Sequence, residues 1–460
     1  MQKLSDHPTN EAPQLPENQT DSLRSKLKVL CHSAERHKAA VIIGVFALLV
    51  VVAAVIIWQK IGTDEEAAVV ETASSLQSDP EHSNDPAVVA GQQLSNRKCS
   101  GEGPVKLTAS PMKAEDFAMI IPYGLVIGSH VTPIDHQYFS PADFNSAPDT
   151  YEVFAPADGR ITEISHRTRS VSEPGKPSND YRFVFSHTCT FLTYFDLVTS
   201  LAADIQIEFD KAITNTGSQE FAPLDIEVKV GQLVGYIGGQ TLDFAVWDTQ
   251  KPLEGFVTPQ LYEAEAWKRY TADPLDYYAD DVKDLILSKY LRSGDGRSGK
   301  IDWDQDGKLI GNWFLEGSNG YEGDRQAPDG RYWRGHLSFA PDHLDPSVYI
   351  ASFGTFETPG DGLQFMISSS GSPDASNVTV ESGLVKYQLQ RHSYLASDGL
   401  PWDRFSHTLD PRAVENTSEP TAGCVLVRLV EPRQLQLEVF VAQQCSQVSG
   451  FTEAVQIFSR

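Results

Sequence analysis

Basic residues are scarce in this chain. Its 37 Lys and Arg face 62 Asp and Glu, leaving a formal charge of −25 at pH 7. Proteins that bind nucleic acid or coat anionic lipid need an excess of positive charge, so both classes are excluded for the chain as a whole. An ordinary solvated acidic exterior accounts for the same balance. Internal repeats of useful strength are missing too, which speaks against a structural or adhesion ectodomain built from stacked β domains. Cysteine is sparse, with five residues in all.

Charge of either sign is absent from Ala39 to Trp58 (AAVIIGVFALLVVVAAVIIW), a run of 20 residues. A helix of that length covers roughly 30 Å, the thickness of a bilayer core, and Trp58 suits the interface. Arg24, Lys26, Lys28, Arg36 and Lys38 precede the run, whereas Asp64, Glu65, Glu66 and Glu71 follow it. The positive side stays cytoplasmic, so residues 1–38 are expected as a cytoplasmic tail, 39–58 as a single transmembrane helix and the remainder as an extracytoplasmic body. A cleaved signal peptide is the competing reading. The run starts late for one, and no small-residue cleavage site directly follows it.

Residues 59–98 are rich in Glu, Asp, Ser, Ala and Gln and contain no aromatic residue. They are expected as a disordered linker, reaching roughly 35 Å if fully flexible. Cys31 falls in the tail, and Cys99, Cys189, Cys424 and Cys445 fall in the body. Four cysteines allow three pairings. Cys424 with Cys445 closes a short loop, and Cys99 with Cys189 then pins the start of the body. Four free thiols are the alternative.

From Cys99 onward, short alternating runs are separated by Gly, Pro and Asp. Tyr151-Glu-Val-Phe, Arg160-Ile-Thr-Glu-Ile, Tyr181-Arg-Phe-Val-Phe and Gln232-Leu-Val-Gly-Tyr-Ile read as antiparallel strands. Helical stretches are expected near Pro259–Lys268 and Asp280–Tyr290. The glycine cluster Ser293-Gly-Asp-Gly-Arg-Ser-Gly marks a boundary between domains at 99–292 and 293–460. Beyond it, Gly311-Asn-Trp-Phe, Val348-Tyr-Ile-Ala-Ser-Phe, Leu384-Val-Lys-Tyr-Gln-Leu and Cys424-Val-Leu-Val-Arg-Leu again read as strands, of a small β-barrel or sandwich. The expected fold class is mostly β.

Three segments in the first domain stand in a telling order. Gly128-Ser-His-Val-Thr-Pro-Ile-Asp-His-Gln-Tyr-Phe is followed by Ala155-Pro-Ala-Asp-Gly-Arg-Ile. Phe185-Ser-His-Thr-Cys-Thr-Phe-Leu-Thr-Tyr-Phe-Asp-Leu comes next, and Val228-Lys-Val-Gly-Gln-Leu-Val-Gly leads into Thr241-Leu-Asp-Phe. Over roughly residues 120–260 this order resembles the lysostaphin-type, or LytM-like, zinc endopeptidases. Their pattern runs from a His and an Asp ligand through A-P-x-x-G, Y-x-H-L and V-x-x-G-Q-x-I-G to a final L-H-F-E. The resemblance implies a β groove, zinc, and peptidoglycan as substrate.

The departures from that pattern carry as much weight. Tyr194-Phe-Asp-Leu places Asp196 where the family has a catalytic His. Thr241 replaces one His of the last motif, and Asp243 replaces the zinc-ligand His. His130 and Asp135 remain, with four residues between them instead of three, and His136 is a further candidate ligand. A zinc hydrolase needs three protein ligands and an open position for water. His130, Asp135 or His136, and Asp243 supply a candidate set, and Asp196 a candidate base, giving a variant metal-dependent endopeptidase acting on wall peptides. Replacing imidazoles by a carboxylate and a hydroxyl also disfavours zinc. On that reading the groove, with His187, Tyr194 and Thr241, binds cell-envelope polymer or a partner protein without catalysis and needs no cofactor. Structural hydrogen bonding by Asp196, Asp243 and His130 is the plainest alternative.

A weaker candidate is Asp302-Trp-Asp-Gln-Asp-Gly, where Asp302, Asp304 and Asp306 have the spacing of the first half of a calcium loop. The twelfth position is Trp313 instead of a bidentate Glu, so an acidic turn fits as well. Asn377-Val-Thr and Asn416-Thr-Ser are glycosylation sequons, and Tyr332-Trp-Arg and Asp273-Pro-Leu-Asp-Tyr-Tyr carry aromatics suited to glycans or to a β core.

Overall fold

Eleven strands form the first half of the body in a computed structural model that describes residues 83–169, 177–216, 221–323, 331–367, 371–403, 405 and 408–460. They are β1 (Phe117–Ile121), β2 (Gln137–Pro141), β3 (Tyr151–Phe154), β4 (Gly159–Arg169), β5 (Pro177–Ser186), β6 (Phe191–Val198), β7 (Ser200–Leu201), β8 (Phe221–Val228), β9 (Leu233–Ile237), β10 (Leu242–Asp248) and β11 (Thr271–Ala272). The main sheet runs β1-β2-β10-β6-β5-β4-β8, with β11 against β10, and a small sheet runs β3-β9-β7. Neighbouring strands of both sheets are antiparallel.

Parity along the central strands sorts the side chains. Phe183, Phe185, Phe191, Phe195, Leu242, Phe244 and Val246 enter one core with Val153, Val234 and Ile237 of the small sheet. Fully burying each such side chain contributes about 1.5–3 kcal/mol. Alternate residues face the other way, where Val184, Leu192, Tyr194, Ala245 and Trp247 form a second cluster. Both faces are covered, so these strands read as nearly continuous apolar runs into which a few charged residues are set.

The turns that carry the A-P-x-x-G and V-x-x-G-Q patterns lie against each other. Ala155 N–H donates to the Gln232 carbonyl at 2.9 Å and Gly231 N–H to the Ala155 carbonyl at 2.9 Å. Gly231 has φ +74°, which only glycine adopts without strain.

Two helical segments follow β10. Pro259–Tyr270 is a tight, interrupted helical stretch, broken at Tyr262 and Glu265. Asp280–Lys289 is an α-helix carrying Asp280 and Asp281 in its first turn, where the helix dipole favours them. The second half contains β12 (Gly311–Leu315), β13 (His336–Pro341), β14 (Tyr349–Thr355), β15 (Pro359–Ile367), β16 (Val385–Gln390), β17 (His392–Leu395), β18 (Pro401–Trp402), β19 (Arg412–Glu415), β20 (Gly423–Glu431), β21 (Gln434–Val441) and β22 (Gln456–Ser459). Eight of them close a barrel in the order β12-β13-β14-β15-β16-β20-β21-β22, so the barrel of the two expected forms is the one present. Closure pairs β12 with β22 and leaves no free edge. Both halves fall in one compact unit.

Disulfides join Cys99 to Cys189 and Cys424 to Cys445. The expected linker over 59–98 needs correction at its C-terminal end, because Pro86–Leu94 is a helix. Asp85 caps it by accepting from Ala87 N–H at 2.8 Å, and Pro86 stands at its first position, where its missing N–H costs nothing. Val88 and Ala90 are buried, and Thr249 donates to the Ala87 carbonyl at 2.8 Å. Composition signalled a polar segment, and tertiary packing of one short apolar stripe ordered it. Among the described residues no helix is long and apolar enough to cross a membrane; the run 39–58, the tail 1–38 and the linker up to residue 82 lie outside them.

Candidate functional site

Strand register builds the site. Asp243 of β10 lies opposite Asp196 of β6 and opposite Tyr138 of β2. All three side chains line a cavity of about 420 Å³ on the second face of the main sheet. Arg167 of β4 and Asp180 and Arg182 of β5 extend the wall; Glu265, Trp267 and Lys268 from the interrupted helical stretch, and Tyr321 and Tyr332 from the barrel half, complete it.

His136 is the hub. Its Nε2 lies 3.1 Å from Asp243 Oδ2 and its Nδ1 3.4 Å from Asp135 Oδ1. Burial alone would push this imidazole down, but the Asp243 charge and the bonds to both carboxylates outweigh it and lift it to about 9. Each ring nitrogen of His136 thus faces a carboxylate of the same cavity. Asp135 also accepts from Lys268 Nζ at 2.9 Å and from Trp267 Nε1 at 2.8 Å. Burial would raise its carboxyl, and the Lys268 charge holds it well below the usual range. Lys268 is itself buried; desolvation would lower its ammonium, and Asp135 holds it well above the ordinary value.

Asp196 is spoken for as well. Arg167 pairs with it, Tyr194 Oη donates to it at 2.9 Å and Leu197 N–H at 2.7 Å. Burial raises its carboxyl against the opposing pull of Arg167. Leu197 holds φ +64°, a strained value for a leucine that aims this N–H at the carboxylate. Arg167 reaches Asp180 at 2.7 Å too.

His130 stands at the cavity's rim, with its ring 6.4 Å from that of His136 and its edge exposed. Crowding by the wall, and then the His136 charge, keep it below its ordinary value. Thr241 donates to Asp243 at 3.3 Å and lies outside the cavity lining. His187 is outside as well: its ring nitrogens meet the Asp158 carbonyl at 2.7 Å and Thr193 Oγ1 at 2.9 Å, and burial pushes it down to about 4. Of the sequence candidates, then, His130, Asp135, His136, Tyr194, Asp196 and Asp243 share one cavity; Thr241 bonds to Asp243 beside it, and His187 lies outside it.

These residues do not fit a zinc centre. Asp135 is bonded to Lys268, and among the described residues no three His, Cys, Asp or Glu side chains are grouped to hold a metal ion. The calcium-loop pattern disperses similarly. Asp302 accepts from Gly255 N–H at 2.8 Å, Asp304 from Asn312 N–H at 2.7 Å, and Asp306 from Arg433 at 2.8 Å.

Sequence reasoning missed Arg167, Arg182, Asp180, Glu265, Trp267 and Lys268. A usable signal existed in Tyr181-Arg-Phe-Val-Phe: an arginine at the parity opposite two buried aromatics, in a strand with no solvated face. Lys268 had none, since its helical stretch is irregular.

No family model matches the chain, and no curated protein matches it. Among solved structures it is similar to Helicobacter pylori Csd3 in its orthorhombic crystal, at 15% identity over 41% of this chain and 40% of that one, with a TM-score of 0.20. It is also similar to lysostaphin in solution, at 11% identity over 66% of this chain and 98% of that one, TM-score 0.21. The antimicrobial peptidase lysostaphin from Staphylococcus simulans matches at 10% identity over 68% and 100%, TM-score 0.20. This chain spans about two fifths of the Csd3 chain it matches. Likeness at these TM-scores assigns no activity to this chain.

Proposed function

We propose that this is a membrane-anchored, extracytoplasmic protein whose LytM-like groove holds cell-envelope polymer, or a partner within the envelope, without cleaving it. The observation that supports this reading is the His136 ring held between Asp135 and Asp243, at 3.4 and 3.1 Å. A peptidase of the metal-dependent kind needs those groups as ligands and a carboxylate or imidazole free to take a proton from water. Here His136 is engaged by both carboxylates, and Asp196 is bound by Arg167, Tyr194 and its own neighbour's N–H. The cavity of about 420 Å³ has aromatic walls suited to holding a ligand, and its carboxylates are already engaged by the chain. The anchor rests on the uncharged run 39–58 and its basic flank.

The test uses the full chain purified from membranes. Little bound metal, no product from peptidoglycan or glycine-rich peptides, and co-sedimentation with insoluble wall material are expected. About one metal per chain with chelator-sensitive cleavage would establish the variant endopeptidase instead. In intact cells, added protease should digest the body and spare a fragment containing residues 1–58; a protected body overturns the localisation.

A further inference from the structure

The cavity's charges leave a remainder. Asp135 and Glu265 share Lys268, at 2.9 and 3.2 Å; Asp180 and Asp196 share Arg167; Asp243 is paired with His136. Every carboxylate on the wall is therefore answered by a cation of the chain. Arg182 has no such partner: among the described residues it makes no ion pair and no side-chain hydrogen bond, and its Nε is buried with no acceptor. Its guanidinium carbon sits 4.8 Å from the Tyr194 ring centroid and 4.7 Å from that of Trp267.

Two rings at this distance hold a guanidinium in place by cation–π attraction without using its N–H groups. Its N–H groups point along the plane, so its edge is the part left to bond. Its Nε is sealed from solvent, so the terminal nitrogens, which have no acceptor among the described residues, are the part open to a ligand. The group that matches a planar, fixed guanidinium edge is a carboxylate, which accepts two parallel bonds. From this geometry we propose that Arg182 is the specificity determinant of the groove, and that its ligand is a peptide presenting a free carboxylate. This rests on the reading of the groove as a binding site and names what it selects. Tyr321 and Tyr332 supply apolar walls for the peptide's remaining atoms.

Three blocked peptides serve as probes of the full chain by calorimetry: N-acetyl-Ala-Ala with a free C-terminus, its C-terminal amide, and N-acetyl-Glu-Ala-amide. The first and third separate a terminal from a side-chain carboxylate as the recognised source. At least one of them should bind about tenfold or more tightly than the amide, a preference worth one decade in Kd. Arg182→Met keeps an unbranched side chain between the two rings and should abolish the preference. Arg182→Lys, which keeps the charge and loses the fork, should restore part of it. Thermal melts of both variants establish that they fold; if Arg182→Met does not, the acid-to-amide ratio of the unaltered protein and of Arg182→Lys decides. Equal affinity for acid and amide, or binding of none of the three, overturns the proposal. Sedimentation of Arg182→Met with wall material as fully as the unaltered chain would also overturn it while leaving the binding function standing, and metal-dependent cleavage would defeat the function on separate grounds.

Discussion

The cavity on the first sheet and the Asp302–Asp306 turn that leads into the barrel both gather carboxylates in a pattern suggestive of a bound cation, and the chain neutralises both from within. They differ in what is left over. In the turn, Asp304 is buried beside Arg460, whose guanidinium lies 4.1 Å over the Trp313 ring and donates to the carbonyls of Gln305, Lys308 and Ile310. Asp302 and Asp304 also accept from Gly255 and Val257 N–H, so these carboxylates tie the segment after β10 to the barrel. There the terminal nitrogens of Arg460 are taken up by carbonyls, and its Nε alone is buried without an acceptor. In the cavity the pairing is as thorough for the acids, yet volume and one cation remain. An acidic cluster in a sequence thus indicates a ligand only through the charges its own fold leaves unmatched.

The largest contrast between the two halves concerns their disulfides. Cys99–Cys189 spans 90 residues and Cys424–Cys445 spans 21. The chain-entropy model gives about 4.6 kcal/mol for the first and about 3.3 kcal/mol for the second. Replacing each pair by alanine and measuring denaturant midpoints should rank them in that order; the reverse order would show that native packing, not loop length, sets their worth.

Next in size is the buried pair. Lys268→Met leaves Asp135 with only His136 and Trp267, and should cost about 3 kcal/mol, the low end of what breaking a buried ion pair costs. Arg433→Ala at the exposed Asp306 should change the unfolding free energy by no measurable amount, because that pair stands in water. Equal effects from the two variants would erase the distinction between a buried network and a surface one.

Much of the architecture could be read from the residues because period-two alternation and Gly-rich turns report strands directly. The strands at 151, 160, 181 and 311, and the helix starting at Asp280, are local signals. The helix at Pro86–Leu94 was hidden because its apolar stripe is only Val88 and Ala90, and its partner, Thr249, lies far along the chain. The cavity was legible in its acids and imidazoles, which a motif places, and illegible in its cations. Arg167 meets Asp196 across 29 residues and Lys268 meets Asp135 across more than a hundred, so no spacing rule connects them. Whether a carboxylate is free or paired is decided by the fold, and that decision is the one that separates a metal ligand from a structural anion.

Dependence on pH is what best separates the two clusters. His136 is lifted from an ordinary 6.5 to about 9. Its folded value exceeds its unfolded one, so the stability it contributes is complete below about pH 6.5 and is lost as pH rises through about 9. Asp304 is raised by burial from 3.8 to about 6, against the opposing charge of Arg460. For a carboxyl raised on folding, the unfolded chain gives up its proton first. The folded state then binds more protons than the unfolded one between about pH 4 and 6, and stability falls across that window as pH rises. Denaturant titrations should therefore show two separate declines, one mildly acidic and one alkaline. Asp304→Asn should shrink the acidic decline, which Asp196 and Asp302 share because burial raises their carboxyls too, and leave the alkaline one. His136→Gln should remove the alkaline decline, at a general cost in stability, and leave the acidic one. A single decline lost in both variants would mean that the clusters titrate as one network across the two halves, and the comparison drawn between a filled turn and an open cavity would fail.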